Sequence, residues 1–443
     1  MGEGDNRCDA SHGDVLHGVE EIRKRPGMYV GSVGERGLHQ AVFEVVGRGV
    51  NEVLAGRASS VEVTLMAGGG VRVVDDGPGV PVEGGGDTGG LGGLEALLTR
   101  VHAGSRPVGR DTAVVGLGDF GLGVANALSS RMTAEVRREG VRWVQRYERG
   151  VAVAPPGAVG RTSGSGTSVS FWPDPGIFAT VRCSFDVLAE RFRELAFLNR
   201  GLGVSLSDVR DPREPRAVRF LGEVRDFVAL LDDPDTVGGS AGSGVSAGSG
   251  VSAGTGVSAG TGGSARRPPV HPDVIAFAWE DPRMAGTAEV ALRWCASREE
   301  RVRGFANCAP TPVGGTHLAG FRDGVTAAVN AWARERRRLM PTEPDLGADR
   351  VCAGLTAVVS VKLDRPEFEG PTRGVLGNAA VRASFSEAVR EHLGGWLARH
   401  PEQAEAVVGR ILPGGRGGRI LPGGRGGRIL PGSRDLAEGS GPR

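Results

Sequence analysis

A glycine-rich segment is the first part of the sequence whose residue types suggest chemistry. Residues 116–123 read GLGDFGLG, which contains a GxGxxG pattern, and an apolar helix is predicted directly after it, from Val124 to Leu128. A glycine loop at the start of a helix turns backbone N–H groups and the positive end of the helix dipole toward phosphate. Because 75 of the 443 residues are glycine, a flexible loop without a ligand explains the same pattern. The segment predicts a polyphosphate site, and the flexible loop stays open as the alternative.

Three more pieces place polar residues at the ends or faces of predicted elements. Apolar residues recur at helical spacing over 38–54 and predict a helix with Glu44 on its polar face. Alternating residues predict a hairpin over 61–74, so the segment DDGPG at 75–79 follows a strand directly. The segment GTSV at 166–169 leads into a further strand. The polar groups are therefore expected where elements begin and end.

Together and in this order, the four pieces resemble the nucleotide site of the GHKL ATPases. Further stretches are similar to bacterial DNA gyrase B and its topoisomerase IV counterpart, namely Ile22–Gly31, Gly37–Val46, His102–Ser105, Arg193–Leu202 and Gly314–Phe321. The resemblance covers nearly all of residues 15 to about 410. It implies an α+β fold in which a GHKL (Bergerat) ATPase sandwich is followed by a transducer domain like domain 2 of ribosomal protein S5. It also implies a dimer that encloses two ATP molecules.

The resemblance gives roles to residues around the expected pocket. It makes Glu44 the general base that activates the attacking water, and it makes Asp75 the acceptor for the adenine amino group. The other ATP-binding positions that it implies are Thr167 at the adenine contact, Gly77 and Gly79 beside the nucleotide, and Gly118, Gly121 and Gly123 in the ATP lid. From the residues alone, Glu44 can equally be a solvated helix charge and Asp75 the start of an Asx turn.

One departure from the family pattern affects the metal. Four residues after the general base the family has an Asn that ligates Mg²⁺, and this chain has Arg48. A guanidinium has no lone pair for a cation, so the resemblance implies ATP with Mg²⁺ while the residue itself puts the metal in doubt. Helical spacing allows Arg48 to pair with Glu44 and hold it away from water, or to point outward to Glu52.

Further departures concern the phosphate side of the pocket. The family's Gln-x-Lys pair, which reaches the γ-phosphate from the transducer, reads Pro371-Thr372-Arg373, so Arg373 keeps the charge while Pro371 cannot supply an amide hydrogen bond. The positions of four other family residues, an Arg, a lid His, the Arg that bounds the pocket and an arm Tyr, are occupied by Pro78, Phe120, Val144 and Cys8. We expect hydrolysis to be weak or lost.

Composition and repeats divide the chain. Tandem repeats at 241–264 (AGSGVS) and 409–434 (GRILPGGRG) cannot bury a core. The predicted organisation is a flexible arm at 1–14, an ATP-binding domain at 15–220, a transducer at 221–408 with an insert at 238–265, and a disordered Arg/Gly tail at 409–443. Basic and acidic residues number 53 and 52, five cysteines are widely spaced, and apolar segments are short, which predicts a cytoplasmic protein without membrane contact.

The sequence therefore predicts a gyrase B-like protein with the ATP-binding and transducer parts of an ATP-hydrolysing type II DNA topoisomerase. No DNA-cleaving TOPRIM domain is recognised, so we expect contact with DNA only indirectly or through the Arg/Gly tail. The expected partners are ATP and either a second copy of the chain or a gyrase B protomer. The alternatives are a non-catalytic regulatory or interaction protein that pairs with gyrase B, and a decaying paralogue without activity.

Overall fold

The computed structural model describes residues 18–83, 93–101, 109–116, 120–232, 267–370 and 373–412. The helices in chain order are α1 (Gly27–Val30), α2 (Glu35–Leu54), α3 (Gly93–Thr99), α4 (Leu122–Ala127), α5 (Phe185–Leu198), α6 (Val224–Asp232), α7 (Thr316–Glu335), α8 (Ala348–Val351), α9 (Ala379–Arg399) and α10 (Pro401–Ile411). The strands of the first unit are β1 (Ser60–Leu65), β2 (Val71–Asp75), β3 (Ser129–Arg138), β4 (Val141–Glu148), β5 (Val151–Ala152), β6 (Gly157–Arg161), β7 (Gly166–Pro173), β8 (Gly203–Asp208) and β9 (Arg216–Phe220). Those of the second are β10 (Ile275–Asp281), β11 (Gly286–Trp294), β12 (Arg301–Ala306), β13 (Ala309–Pro310), β14 (Gly314–Gly315), β15 (Leu355–Leu363), β16 (Phe368–Glu369) and β17 (Val375–Leu376).

The first unit is a mixed sheet with helices on one face. Its described strands are ordered β5-β4-β3-β7-β2-β1-β8-β9, with β6 paired to β4, and β1 runs parallel to β8. The predicted hairpin is confirmed, since β1 and β2 pair with Val63 opposite Val73. Helices α2 and α5 pack on this sheet because their apolar residues, such as Val46 and Leu195, fall on one stripe of each helix.

The second unit repeats this two-layer plan. Its larger sheet is ordered β10-β11-β15-β12-β13, and the smaller one β14-β17-β16. Buried Val290 and Val359 on the larger sheet belong to one apolar cluster with Phe321 of α7 and Phe385 of α9. Alternation along β11 and β15 turns the other side chains of these strands to the opposite face, toward α6 and the first unit.

The two units share an apolar core. The ring of Phe227 on α6 lies 5.9 Å from that of Phe197 at the end of α5 and 5.8 Å from that of Phe305 on β12. Buried Ala291 and Val358 of the larger sheet belong to the same cluster. Burial of large apolar side chains favours the folded state, so this contact fixes the transducer against the sheet that carries the pocket.

The segment 233–266, which contains the AGSGVS repeats, lies outside the described residues, but both of its ends are fixed. The amide of Arg267 donates to the carbonyl of Asp232 at 2.9 Å. The Asp232 carboxylate is buried and accepts hydrogen bonds from Arg293 at 2.5 and 2.8 Å and from Thr356 at 2.5 Å. The chain therefore leaves and re-enters the fold at adjacent points.

The C-terminal boundary differs from the prediction. The tail was expected to begin at 409, but α10 continues to Ile411, which is buried, and the guanidinium of Arg410 donates to the backbone carbonyl of Ser297 at 2.8 Å. The start of the first GRIL unit thus completes a helix because Ile411 reaches the core before Pro413 ends helical continuation. In the described part of the chain, no helix is both long and apolar enough to cross a membrane.

Candidate nucleotide site

Helix α2 presents three polar residues toward the first unit's sheet and its neighbouring loop. Glu44, Arg48 and Asn51 follow one another at intervals of four and three residues, so they share one side of the helix. Asn51 accepts a hydrogen bond from the amide of Ala113 at 2.8 Å. The polar face of α2 is therefore fixed to the segment that leads into the glycine loop.

The floor of the site is formed where β2 and β7 end. Asp75 is the last residue of β2, is only 4% exposed, and lies opposite Thr167 of β7 in the sheet register. The amide of Gly77 donates to Asp75 Oδ1 at 3.1 Å, and the hydroxyl of Thr167 accepts from the amide of Val80 at 3.2 Å. These contacts hold the DDGPG segment against the sheet and bring Asp75, Gly77 and Thr167 together.

The conformation of DDGPG explains its two glycines. Gly79 has φ 78°, and a Cβ there would lie 2.6 Å from the carbonyl oxygen of Arg137 on β3. A Cβ on Gly77 would lie 3.0 Å from Asp75 Oδ1. The intervening turn is further held by Asp76: burial acts to raise the pKa of its carboxyl, but hydrogen bonds from Ser59 and Ser60 hold that pKa below its usual value.

Arg48 forms an ion pair with the residue expected to recognise adenine. Its Nη1 lies 2.6 Å from Asp75 Oδ2, and the Arg48 side chain is 16% exposed. The partners expected for Arg48 were Glu44 and Glu52 on its own helix, and neither makes this contact. Glu52 forms an ion pair with Arg57 at 2.7 Å. The guanidinium turns to the floor because Asp75 provides a buried carboxylate directly below the helix.

The ion pair changes what the site can hold. The residue at the metal position offers only N–H donors, so Arg48 cannot ligate Mg²⁺ where the family has an Asn. Oδ1 of Asp75 is bonded to Gly77 and Oδ2 to Arg48, so both oxygens of the expected adenine acceptor already have donors. A purine that approaches Asp75 must share these oxygens or displace the guanidinium.

The general-base candidate lies beside the start of the glycine loop. Glu44 is half-buried on α2, and its carboxylate lies against Gly116, where any Cβ would overlap Glu44 Oε1. The backbone at the start of the glycine loop therefore passes directly over Glu44. A side chain at position 116 would require the Glu44 carboxylate to move away from the loop.

In the described part of the glycine loop, the backbone turns sharply and leads directly into α4. Gly121 precedes α4 with φ 76°, and a Cβ on Gly123 would lie 2.7 Å from the carbonyl oxygen of Arg100. Phe120, at the expected lid His, packs edge-on against Tyr29 at 5.3 Å between ring centroids. Gly118 lies outside the described residues, so its predicted lid role stays a prediction.

Val144 lies on the face of the sheet opposite to Asp75. It lies opposite Glu135 in the β3–β4 pairing, and both alternate with core residues such as Ala134 and Gln145, so Val144 faces away from Asp75. The residue at the pocket edge is Arg138, whose Nη1 donates to the carbonyl of Gly79 at 3.0 Å. The replacement of the family's pocket-bounding Arg by Val144 stays a prediction.

The γ-phosphate position has weaker structural support. Pro371 lies outside the described residues. Arg373 lies on the transducer with φ 53°, and its guanidinium carbon is 5.9 Å from the ring centroid of Phe368. Its contact with a γ-phosphate stays a prediction.

Sequence reasoning missed the residues that connect the pocket to the transducer. Arg191 on α5 is buried and donates to the carbonyls of Val114 at 3.2 Å and Cys308 at 3.0 Å. Asn307 completes the bridge: its carbonyl accepts from the amide of Val114 at 2.7 Å, and its side chain donates to the carbonyl of Gly109 at 2.8 Å. No local pattern marks these residues, because their partners are backbone groups distant in sequence.

A further ion-pair contact crosses between the same segment and the transducer. Arg110 reaches Asp364 at 2.7 Å and Glu280 at 2.5 Å. The segment between 109 and 116 is therefore bonded to the second unit immediately before the glycine loop begins.

The arrangement of sheet, α2, DDGPG and glycine loop, followed by a second α+β unit, defines a GHKL-type nucleotide-binding domain joined to a transducer. A family model described as DNA gyrase B matches residues 263–414. The chain is 40% identical over 408 residues to the novobiocin-sensitive DNA gyrase B of Streptomyces niveus, and the alignment covers 92% of this chain and 58% of that protein. It is 41% identical over 425 residues to the DNA gyrase B of Streptomyces coelicolor, with 92% and 57% covered.

A solved structure agrees with these matches. The 43K ATPase domain of Thermus thermophilus gyrase B, crystallised with an aminocoumarin, superposes with a TM-score of 0.71 at 28% identity and covers 90% of this chain and 94% of that one. The predicted GHKL-type α+β fold is confirmed. The chain resembles the ATPase and transducer region of DNA gyrase B, and it spans less than three fifths of the length of the gyrase B relatives that it matches.

Proposed function

We propose that this protein is a gyrase B-like module that binds a purine nucleotide without hydrolysing it. The observation that carries the proposal is the Arg48–Asp75 ion pair at 2.6 Å. It places a cation at the position where the resemblance implies a metal-ligating Asn. The proposal concerns the nucleotide and transducer units, which are the parts of the relatives that the chain spans.

Nucleotide binding is supported by the pocket floor. Asp75, Thr167, Gly77 and Gly79 are held by strand pairing and local hydrogen bonds, so their geometry does not depend on a ligand. A preformed floor avoids an ordering cost on binding. We therefore expect measurable binding, weakened by the need to share or displace Arg48.

Loss of turnover follows from the phosphate side. Phosphoryl transfer to water depends on neutralising the triphosphate and orienting the attacking water, and in this class of enzyme Mg²⁺ supplies much of that charge. Arg48 cannot coordinate the metal, and its guanidinium is directed to Asp75 at the floor. Glu44 is retained, but a general base alone contributes only part of the acceleration.

A partner role is proposed for the retained transducer. The segment 109–116 is hydrogen-bonded to the second unit through Asn307 and Arg191. These bonds provide a path by which nucleotide binding can change the conformation of the transducer. We propose that the chain pairs with a second copy of itself or with a gyrase B protomer. Size-exclusion chromatography with light scattering, with and without nucleotide, tests the first pairing, and mixing with a purified gyrase B tests the second.

The proposal is tested by separating binding from turnover on the purified chain. Isothermal titration with a nonhydrolysable ATP analogue, with and without Mg²⁺, should show binding that is nearly independent of the metal. Phosphate release from ATP should stay at background. In Arg48→Asn, which restores a possible ligand, binding should become Mg²⁺-dependent.

Two results would contradict the proposal. One is substantial ATP turnover by the unaltered chain that disappears in Glu44→Ala, because this would make it an ordinary ATPase. The other is no binding of any nucleotide at millimolar concentration. Arg146→Asn, which removes an exposed Arg on the outer face of the sheet, serves as the matched control for the change in charge.

A further inference from the structure

We infer that the nucleotide site of this protein accepts purine nucleotides without selecting for the 6-amino group of adenine. The inference rests on the proposed function, since it concerns the same pocket. It identifies Arg48 as the residue that sets base selectivity. The ligand class is then purine nucleoside triphosphates with an amino group, an oxo group or hydrogen at position 6.

The first step concerns how a buried carboxylate selects an amino group. A site built to hydrogen-bond a ligand group rejects the analogue that lacks it, because the site's own buried polar group is then left unpaired. Asp75 would provide this selection if its carboxylate had no hydrogen-bond donor in the absence of a ligand. It is 4% exposed, so water could not easily replace a missing ligand donor.

The second step is that both carboxylate oxygens of Asp75 already accept a hydrogen bond from the protein. Oδ1 accepts from the amide of Gly77 at 3.1 Å, and Oδ2 accepts from Arg48 at 2.6 Å. The second bond is charge-assisted and is therefore the stronger type. A nucleotide that lacks the amino group leaves this carboxylate satisfied, so the penalty that normally creates adenine selectivity is removed.

The third step concerns the unused donors of Arg48. A guanidinium carries five N–H groups in a planar fork, and the hydrogen bond shown for it among the described residues uses one of them. A 6-oxo group on a purine is an acceptor and can take one of the others. An oxopurine therefore meets a donor where a free carboxylate would repel its carbonyl oxygen.

Affinities of three nucleotides for the intact chain test the inference. The probes are ATP, inosine triphosphate and purine riboside triphosphate, which carry an amino group, an oxo group and hydrogen at position 6, and binding is measured by calorimetry without Mg²⁺. For the unaltered chain we expect the three dissociation constants to agree within about threefold, whereas in Arg48→Asn ATP should be favoured over purine riboside triphosphate by about tenfold or more, the range of a charged hydrogen bond.

Controls keep this test interpretable. Arg146→Asn should leave the three affinities in the ratio of the unaltered chain, since Arg146 lies on the far side of the sheet. If Arg48→Asn does not fold, as judged by its thermal melt, Arg48→Gln removes the same charge with a longer side chain. The decisive quantity is the change in the affinity ratio between the three nucleotides when residue 48 is substituted. If Arg48 had only a structural role, its substitution would weaken all three nucleotides equally and leave this ratio unchanged.

The outcomes distinguish this inference from the proposed function. Binding by the unaltered chain with ATP favoured at least tenfold, and the same preference in Arg48→Asn, would overturn the inference and leave the proposed function standing. Failure of all three nucleotides to bind the unaltered chain would overturn both. Turnover of ATP with equal affinity for all three would overturn the proposed function alone.

Discussion

Asp232 and Asp75 are both buried and paired with arginine, and they differ in the number of hydrogen bonds that each accepts among the described residues. Asp232 at the end of α6 is 1% exposed and accepts from two nitrogens of Arg293, from the hydroxyl of Thr356 and from the thiol of Cys295 at 3.1 Å. Asp75 has one bond from Arg48 and one from Gly77. A buried carboxylate held by four donors stabilises the fold, whereas one held by two donors at a pocket can exchange one of them for a ligand.

The position of each arginine strengthens this contrast. Arg293 is held in the larger transducer sheet, and Arg267, which is 3% exposed, lies 4.0 Å from the Asp232 carboxylate and donates to Thr356 at 2.8 Å. Arg48 lies on a helix face beside a pocket and is 16% exposed. Arg267 in the first cluster is almost completely buried, while the guanidinium of Arg48 can move outward on its flexible stem.

The largest effect is expected for Asp232→Ala. It leaves the buried guanidinium of Arg267 and the partly buried guanidinium of Arg293 without their carboxylate, and breaking a buried pair in this way costs about 3–5 kcal/mol. The unfolding free energy from urea titration, followed by circular dichroism, measures the loss. A loss below about 1 kcal/mol would mean that the cluster does not hold the transducer and that the contrast with Asp75 is wrong.

A smaller effect is expected for Asp75→Ala. Gly77 loses its acceptor, but Arg48 can turn to water, so we expect the unfolding free energy to fall by about 2 kcal/mol. The double variant Arg48→Ala/Asp75→Ala isolates the pair, with an expected coupling of about 1–2 kcal/mol. A cost for Asp75→Ala equal to that for Asp232→Ala would show that Asp75 is as much a structural residue as Asp232.

The sequence predicted much of the pocket because its parts are local. Alternation in the hairpin placed Asp75 at a strand end, and helical spacing placed Glu44 and Arg48 on one side of α2. The partner of Arg48 could not be predicted in this way, since the candidates at i±4 were on its own helix and the actual partner is on a strand. The sheet face on which Val144 lies could not be predicted for a related reason, because strand parity decides which face a residue occupies.

Contacts between the two units were also beyond local patterns. Arg191 bonds to carbonyl groups of Val114 and Cys308, and every residue carries a carbonyl, so the sequence contains no sign of which ones will be near. The end of the fold was misplaced for a different reason. The repeat GRILPGGRG suggested a tail, but the first Ile and Arg of that repeat, Ile411 and Arg410, find tertiary partners.

The smallest effect is expected for deletion of residues 241–264, which removes the AGSGVS repeats. Asp232 and Arg267 already hold the two ends together through a backbone hydrogen bond at 2.9 Å and the buried cluster around Asp232. Loop-closure entropy grows only with the logarithm of length, so shortening the segment should stabilise the fold by about 1 kcal/mol at most. Urea titration of the deletion variant measures this, with the unaltered chain and Asp232→Ala as references.

The deletion should not restore the stability lost in Asp232→Ala, because a shorter connection cannot neutralise Arg293. A fall of more than about 2 kcal/mol on deletion would show that the repeats pack against the fold, and the Asp232 cluster would then not be sufficient to fix the transducer at this point.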